Sequence, residues 1–418
     1  MHEQTHRPEP FTKYQKFVVA LLAFLQFTII LDFMIVSPLG AFLMPALKIS
    51  PAQFGFVVSV YAFAAGISGF LAAGFADRYD RKKLLLFFYT GFVIATLMCG
   101  LANTYEMLVA ARLITGIFGG VIGSIIFAIV TDLFPIEKRG RVMGFVQTAF
   151  AASQVLGLPA GLYISNVWGW HAPFMMIVGV SAVAGIAIFS MLRPIDEHLK
   201  LQTERNPFRH LFATVTKPRY ILGFSATGLL MIGGFMIMPF GSAFAVNNVG
   251  IHADKLPLIY LFSGLSSIVI GPLVGRASDT FGNFRVFLFG TVVSIAMVLI
   301  YTQLGITSLP LFILINIIMF VGIFSRMIPS QTLMSAIPAP ASRGAYMSVS
   351  SSLQQLAGGL ASIFAGLIVV EAPGGRLERF DVVGYVVAAT AVVALFMMYL
   401  IYRLLPDTRN AKRGAARA

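Results

Sequence analysis

One carboxylate stands inside an apolar stretch. Asp32 lies sixteen residues from Lys16 and sixteen from Lys48, the nearest charges on either side. If the stretch is helical, about 24 Å of helix separates Asp32 from each. A carboxylate at such a depth in hydrocarbon costs about 3 kcal/mol, and desolvation favours its neutral, protonated form. A group so placed can take up and release a proton; the alternative is a structural Asp capping a helix break near Pro38. Arg112, in another apolar stretch and six residues past Glu106, is its natural partner, because a guanidinium keeps its charge and needs a counter-charge or water. Protonating Asp32 would free Arg112, and a polar or cationic solute would compete with the proton for the carboxylate. A permanent ion pair is the competing reading. Asp32 and Arg112 are the candidate proton-coupling residues.

Five other residues are candidates for binding a solute. Arg326 is a second cation inside an apolar stretch, with no carboxylate at matching depth in its half of the chain. It could meet an anionic group, or accept backbone carbonyls near a helix break expected at Pro329. Gln154 and Gln354 offer amides to a polar solute or to neighbouring helices. Met231 and Phe235, with Met236, Met238 and Phe240 nearby, would make a soft wall for varied lipophilic ligands, or simply face lipid. Enzymatic readings lack support. No catalytic triad is visible, and no G-x-x-x-x-G-K-[ST] loop is present to bind ATP phosphates. Cys99 is the single cysteine, which rules out a disulfide within the chain and a cysteine-based metal site. No cofactor is implied.

The elements that must position these residues follow from composition. Of 418 residues, 58% are hydrophobic and only 11% charged, with a mean hydropathy of +0.85. A soluble domain is about 25% charged, so lipid must be the solvent for most of this surface. A bilayer span needs ~20 apolar residues, and lipid demands that the backbone satisfy itself, so the spans are helices. Twelve are expected, the first over 17–45, the fifth over 141–165 and the seventh over 219–246. The organisation expected is a polar tail at 1–16, a six-helix bundle at 17–192, a linker at 193–218, a second bundle at 219–404 and a tail at 405–418. No cleavable signal peptide is expected, because the first apolar run is too long for one.

Charge sets the orientation. Of the 30 Lys and Arg, 24 fall on one side of the spans and four on the other, which places both termini in the cytoplasm of a cell whose inner (plasma) membrane holds the chain. The net charge of +13 is thus a topology signal scattered over short loops, and nucleic acid is not an expected partner. The halves also repeat. Asp77 and Asp279 are 202 apart, Arg139-Gly140 and Arg343-Gly344 are 204 apart, and Gly116-Ile117-Phe118 recurs 206 later as Gly322-Ile323-Phe324. Two parallel six-helix halves imply a solute site between them near the midplane, opened to each side in turn.

At this point the chain resembles a major facilitator superfamily transporter. The loop Asp77-Arg78-Tyr79-Asp80-Arg81-Lys82-Lys83 is similar to that family's G-x-x-x-D-R-x-G-R-R signature, with Ala73 and Asp80 in place of its glycines. A sparser copy runs from Gly275 through Asp279 and Gly282 to Arg285. Arg112-Leu113-Ile114-Thr115-Gly116 resembles the R-x-x-x-G pattern of proton-coupled members. Gly157-Leu158-Pro159-Ala160-Gly161 looks like a degenerate antiporter motif. The resemblance implies the twelve-helix drug:proton antiporter branch, an all-α membrane protein of two pseudo-symmetric six-helix bundles. It also implies a gate at the cytoplasmic face built from Asp77, Arg78, Arg81, Arg139, Asp279, Arg285 and Arg343. The function implied is proton-coupled efflux of small lipophilic or amphipathic compounds. The alternatives are export or facilitation of a specific sugar or metabolite, lipid flipping, and a non-transporting sensor or scaffold. The partners are a small-molecule substrate, protons and the bilayer, and a monomer suffices.

Overall fold

A computed structural model describes residues 11–197, 199, 216–338 and 343–405. Most of the expected linker and the expected terminal tails lie outside the described residues. Among those described, twelve helical spans are long and apolar enough to cross a bilayer, so the chain is a multi-pass membrane protein, as expected.

The first half contains α1 (Lys13–Ile35), α2 (Gly40–Leu47), α3 (Pro51–Phe75), α4 (Arg81–Leu101), α5 (Tyr105–Leu133), α6 (Ile136–Ala152), α7 (Leu158–Trp168) and α8 (Ala172–Met191). The second contains α9 (Pro218–Ile237), α10 (Gly241–Asn247), α11 (Leu256–Phe281), α12 (Asn283–Thr302), α13 (Leu309–Ser335), α14 (Arg343–Ile368) and α15 (Phe380–Leu404). A short antiparallel hairpin of two-residue strands, β1 (Val370–Glu371) and β2 (Leu377–Glu378), joins α14 to α15. Helix starts carry their own caps. Thr12 and Ser50 form capping boxes with Gln15 and Gln53, and Thr104 accepts from the Met107 amide. Each satisfies amides that would otherwise be orphaned at the membrane boundary.

Three spans are interrupted, each near a proline, which lacks the amide for a helix ladder. Pro38 separates α1 from α2, and Pro239 sits in the 3₁₀ turn Met238–Phe240 between α9 and α10. These prolines are 201 residues apart, so both halves bend their first span at matching positions. The bends meet: Ser242 Oγ donates to the Ser37 carbonyl at 3.2 Å and accepts from the Ala41 amide at 3.4 Å, while the Phe54 and Phe240 rings meet edge-on at 6.1 Å. The third interruption is a π turn, Ser153–Gly157, ahead of Pro159 between α6 and α7. The break expected at Pro329 is absent. α13 runs unbroken through it, with the backbone of Ser325 pressed against Gly290 of α12. Neighbouring helices hold such a proline-containing turn in place.

Because α1 starts and α15 ends on the same side of twelve alternating spans, that side is here termed the terminal face. The halves share one hydrophobic core only at the opposite, far face. There Leu31, Leu43, Phe54 and Phe174 pack in one cluster with Phe240, Phe244, Tyr301 and Phe380. Toward the terminal face the buried clusters belong to single halves, Val18 to Ile195 in one and Tyr220 to Ile401 in the other, with Phe70 at its edge. α3 and α14 run against each other across the division, where small residues permit backbone contact: Ser59 Oγ donates to the Gly359 carbonyl at 2.7 Å. The far face is closed, and the terminal face is joined mainly along this one seam.

Candidate functional site

Asp32 and Arg112 meet in the interior of the first half. Arg112 Nη1 donates to Asp32 Oδ2 at 2.7 Å, and the exposures are 1% and 0%. The same nitrogen lies 3.4 Å from the Asp32 carbonyl. Thr96 Oγ1, from α4, donates to Asp32 Oδ1 at 3.3 Å. The Arg112 guanidinium stands 4.3 Å over the Tyr61 ring of α3, a contact worth about 2 kcal/mol when desolvated. Four helices therefore build the site, α1, α3, α4 and α5. Arg112 Nε has no acceptor among the described residues. The buried pair is neutral overall, which is what lets it persist in a medium where a lone charge would cost several kcal/mol.

Local sequence explains the placement. Gly116, one turn after Arg112, lies where a Cβ would stand 2.8 Å from Ala64 Cβ and 3.0 Å from Tyr61 Cα. Its missing side chain lets α3 approach and bring the Tyr61 ring under the guanidinium. The R-x-x-x-G spacing thus has a packing meaning here. Gly116→Val should drive the two helices apart, at a cost of about 1–3 kcal/mol for overpacking, visible as a lowered thermal midpoint of the purified protein. α1 is held from the other side by the degenerate antiporter motif. Ser153 Oγ donates to the Phe27 carbonyl at 3.1 Å, and Gly157 and Gly161 face Leu31 and Ile35. These contacts climb α1 at four-residue intervals and bracket Asp32.

The other candidates are scattered. Gln154 is buried in the π turn with its backbone against Gly264 of α11, in the opposite half, and its Oε1 has no partner among the described residues. The ring of Phe235 on α9 lies 5.9 Å from that of Phe33 on α1, tilted by 43°, and Phe33 lies 5.3 Å from Tyr61, so an aromatic chain leads from the ion pair into the second half. Met231 is one turn along α9, partly buried, and Gln354 is partly buried on α14. Arg326 is partly buried on α13 near Gly233 of α9.

The expected gate residues of the first half contact their own half. Arg81 is buried and pairs with Asp132 at 2.9 Å, while Arg139 donates to the carbonyls of Phe134 and Thr131 at the end of α5. Asp80, where the signature has glycine, caps α4 through the Lys83 amide at 2.8 Å and accepts from the Ile195 amide at 2.9 Å. Arg78, Asp279 and Arg285 are exposed. The side chains of Asp77 and Arg343 lie outside the described residues. Sequence reasoning missed Thr96 and Tyr61. Hydroxyls and single aromatic rings are common in spans, and only the fold singles these two out.

Two pseudo-symmetric bundles of membrane helices with a charged pair buried in one of them define a membrane transporter rather than an enzyme. The chain belongs to the Major Facilitator Superfamily, whose family model matches residues 22–362 and 223–418. It is 26% identical over 399 residues to the uncharacterized MFS-type transporter YceJ of Bacillus subtilis (strain 168), covering 94% of this chain and 97% of that one. It is 24% identical over 358 residues to multidrug resistance protein 1 of the same organism, covering 83% and 86%. Among solved structures, a bacterial homolog of the human lysosomal transporter Spinster, inward-facing and occupied, aligns with a TM-score of 0.75 at 16% identity, covering 94% of this chain and 98% of that one. The nucleoside transporter NupG aligns with a TM-score of 0.73 at 16% identity, covering 94% and 99%. Both structural likenesses concern the fold.

Proposed function

We propose that the protein is a secondary active exporter that exchanges protons for small lipophilic or amphipathic compounds by alternating access. Asp32 is the proton carrier and Arg112 its switchable counter-ion. The observation that carries this reading is the fully buried 2.7 Å pair, set in the only span of the first half with a mid-helix carboxylate among the described residues. The name of multidrug resistance protein 1, a relative over most of both chains, supports efflux. Lysine and arginine distribution supports an orientation with both termini in the cytoplasm, and the repeat across the 193–218 linker supports a six-helix bundle on each side of it; the reading takes the membrane to be the plasma (inner) membrane and needs no more than a monomer.

The mechanism has three parts. Protonation of Asp32 removes the counter-charge of Arg112, whose guanidinium then relies on the Tyr61 ring and on whatever water or solute enters. Tyr61 transmits the change through Phe33 to Phe235, across the seam between halves. With its proton taken from the far side, the protonated state closes the far-face contacts around Ser37, Ser242 and Phe240 and opens the terminal face, where Asp32 gives up the proton as solute binds. The loaded protein then reopens the far face, with Asp77, Arg78, Arg81, Arg139, Asp279, Arg285 and Arg343 forming the gate that closes the terminal face. Inverted membrane vesicles test the scheme. A panel of lipophilic dyes of either charge should include some whose uptake requires an imposed pH gradient and collapses when a protonophore dissipates it. Uptake that equilibrates with or without the gradient would mark a facilitator instead.

A further inference from the structure

Charge is balanced in the first half and unbalanced in the second. Among the described residues, Asp32 is the one acidic side chain within the middle of a span; all others sit at helix ends or in loops. Two cations lie within spans, Arg112 and Arg326, and Asp32 neutralises the first. Arg326 lies seventeen residues after the start of α13 and nine before its end, or about 26 Å and 14 Å along the helix axis. It faces the inside of its bundle, between the apolar cluster that holds Phe312 and Ile315 and the one that holds Leu333 and Met334. Its Nη1 would lie 3.9 Å from a Cβ on Gly233. Its Nε is buried with no acceptor among the described residues, yet the side chain as a whole is only partly buried. An arginine cannot shed its charge. This one therefore presents a permanent positive charge and unused donors to whatever reaches the interior.

We propose that Arg326 receives the anionic group of the transported solute, and that the substrates are amphipathic monoanions, an apolar body carrying one carboxylate, sulfonate or sulfate. The inference rests on the exporter reading above and narrows its substrate class. A planar guanidinium offers charge-assisted, two-point hydrogen bonding to such a group, and binding cancels the uncompensated charge of the second half. Leu230 and Met236, one turn to either side of Gly233 on α9 and so on its face, supply the apolar wall. A lipophilic cation gains nothing comparable, since it would add to an interior that is already positive.

The test is equilibrium binding of two ring-matched probes, a naphthalene sulfonate and a naphthyl trimethylammonium, to the full chain in lipid nanodiscs, with binding to empty nanodiscs subtracted. Wild type should bind the sulfonate at least tenfold more tightly than the ammonium compound. Arg326→Met should erase that preference, and Arg326→Lys should keep part of it. Equal affinity of the wild type for both probes would overturn the proposal without recourse to any variant, as would an unchanged sulfonate affinity in a folded Arg326→Met protein. The binding is read without a gradient. Its failure removes the anion assignment and leaves proton coupling standing, whereas gradient-independent uptake in vesicles removes the coupling and leaves anion recognition standing.

Discussion

Asp32→Asn is expected to reduce gradient-driven accumulation to simple equilibration. A pH difference of two units supplies about 2.7 kcal/mol per proton, enough for ~100-fold accumulation of one solute per proton exchanged. Asparagine has nearly the shape of aspartate and can still accept from Arg112 through its oxygen while its amide nitrogen donates to the Thr96 hydroxyl, so the four-helix site should survive. What it lacks is an ionisable proton. The variant should therefore give an accumulation ratio of about 1 under the same gradient, set by the absence of coupling, while downhill movement of the solute continues. Transport assays in proteoliposomes with a controlled pH on each side check this. A variant that still accumulates solute against its gradient would place the proton elsewhere.

The second large effect is energetic. Removing one member of a buried ion pair strands the other, at a cost of about 3–5 kcal/mol. The two single deletions should differ. Asp32→Leu strands a guanidinium that cannot neutralise itself and is left with the Tyr61 ring and a backbone carbonyl. Arg112→Met strands a carboxyl group, which can become neutral by taking up a proton. We expect Asp32→Leu to be the more damaging, by about 1–2 kcal/mol or more, and the double variant Asp32→Leu/Arg112→Met to recover most of the loss. Unfolding of purified protein in one detergent, wild type and all three variants, gives the coupling energy directly. Losses that simply add would mean that the pair has no energetic link in the folded protein.

The spans and the ion pair were legible because each rests on a single strong signal. Lipid leaves no alternative to long apolar helices, and a lone carboxylate among them stands out against its neighbours. Arg112 was legible as the partner because no other cation shares its half of the apolar interior. The rest depended on approach distances that residue types alone do not encode. Tyr61 is one of 13 tyrosines, and what selects it is the room left by Gly116 on the facing helix. The helix breaks illustrate the same limit. Prolines inside spans look alike in sequence. Pro38 and Pro239 break their helices, and Gly40, just past the first break, lies against the Pro239 carbonyl of the second, while Pro329 is carried through α13 by its packing on α12. The gating residues are the least legible part, since their contacts change with the state of the transporter. In this state Arg81 and Arg139 hold the end of α5.

The most direct test of the central claim, that Asp32 carries the coupled proton, is substrate-induced proton release from purified protein. It is measured in weak buffer between about pH 5 and 9, on either side of the range where a buried carboxyl can exchange its proton, with a dye that the vesicle assay has identified as transported. Wild type should release protons in proportion to the solute bound, over part of that range, and Asp32→Asn should bind solute and release none. Equal proton release from wild type and Asp32→Asn would contradict the account.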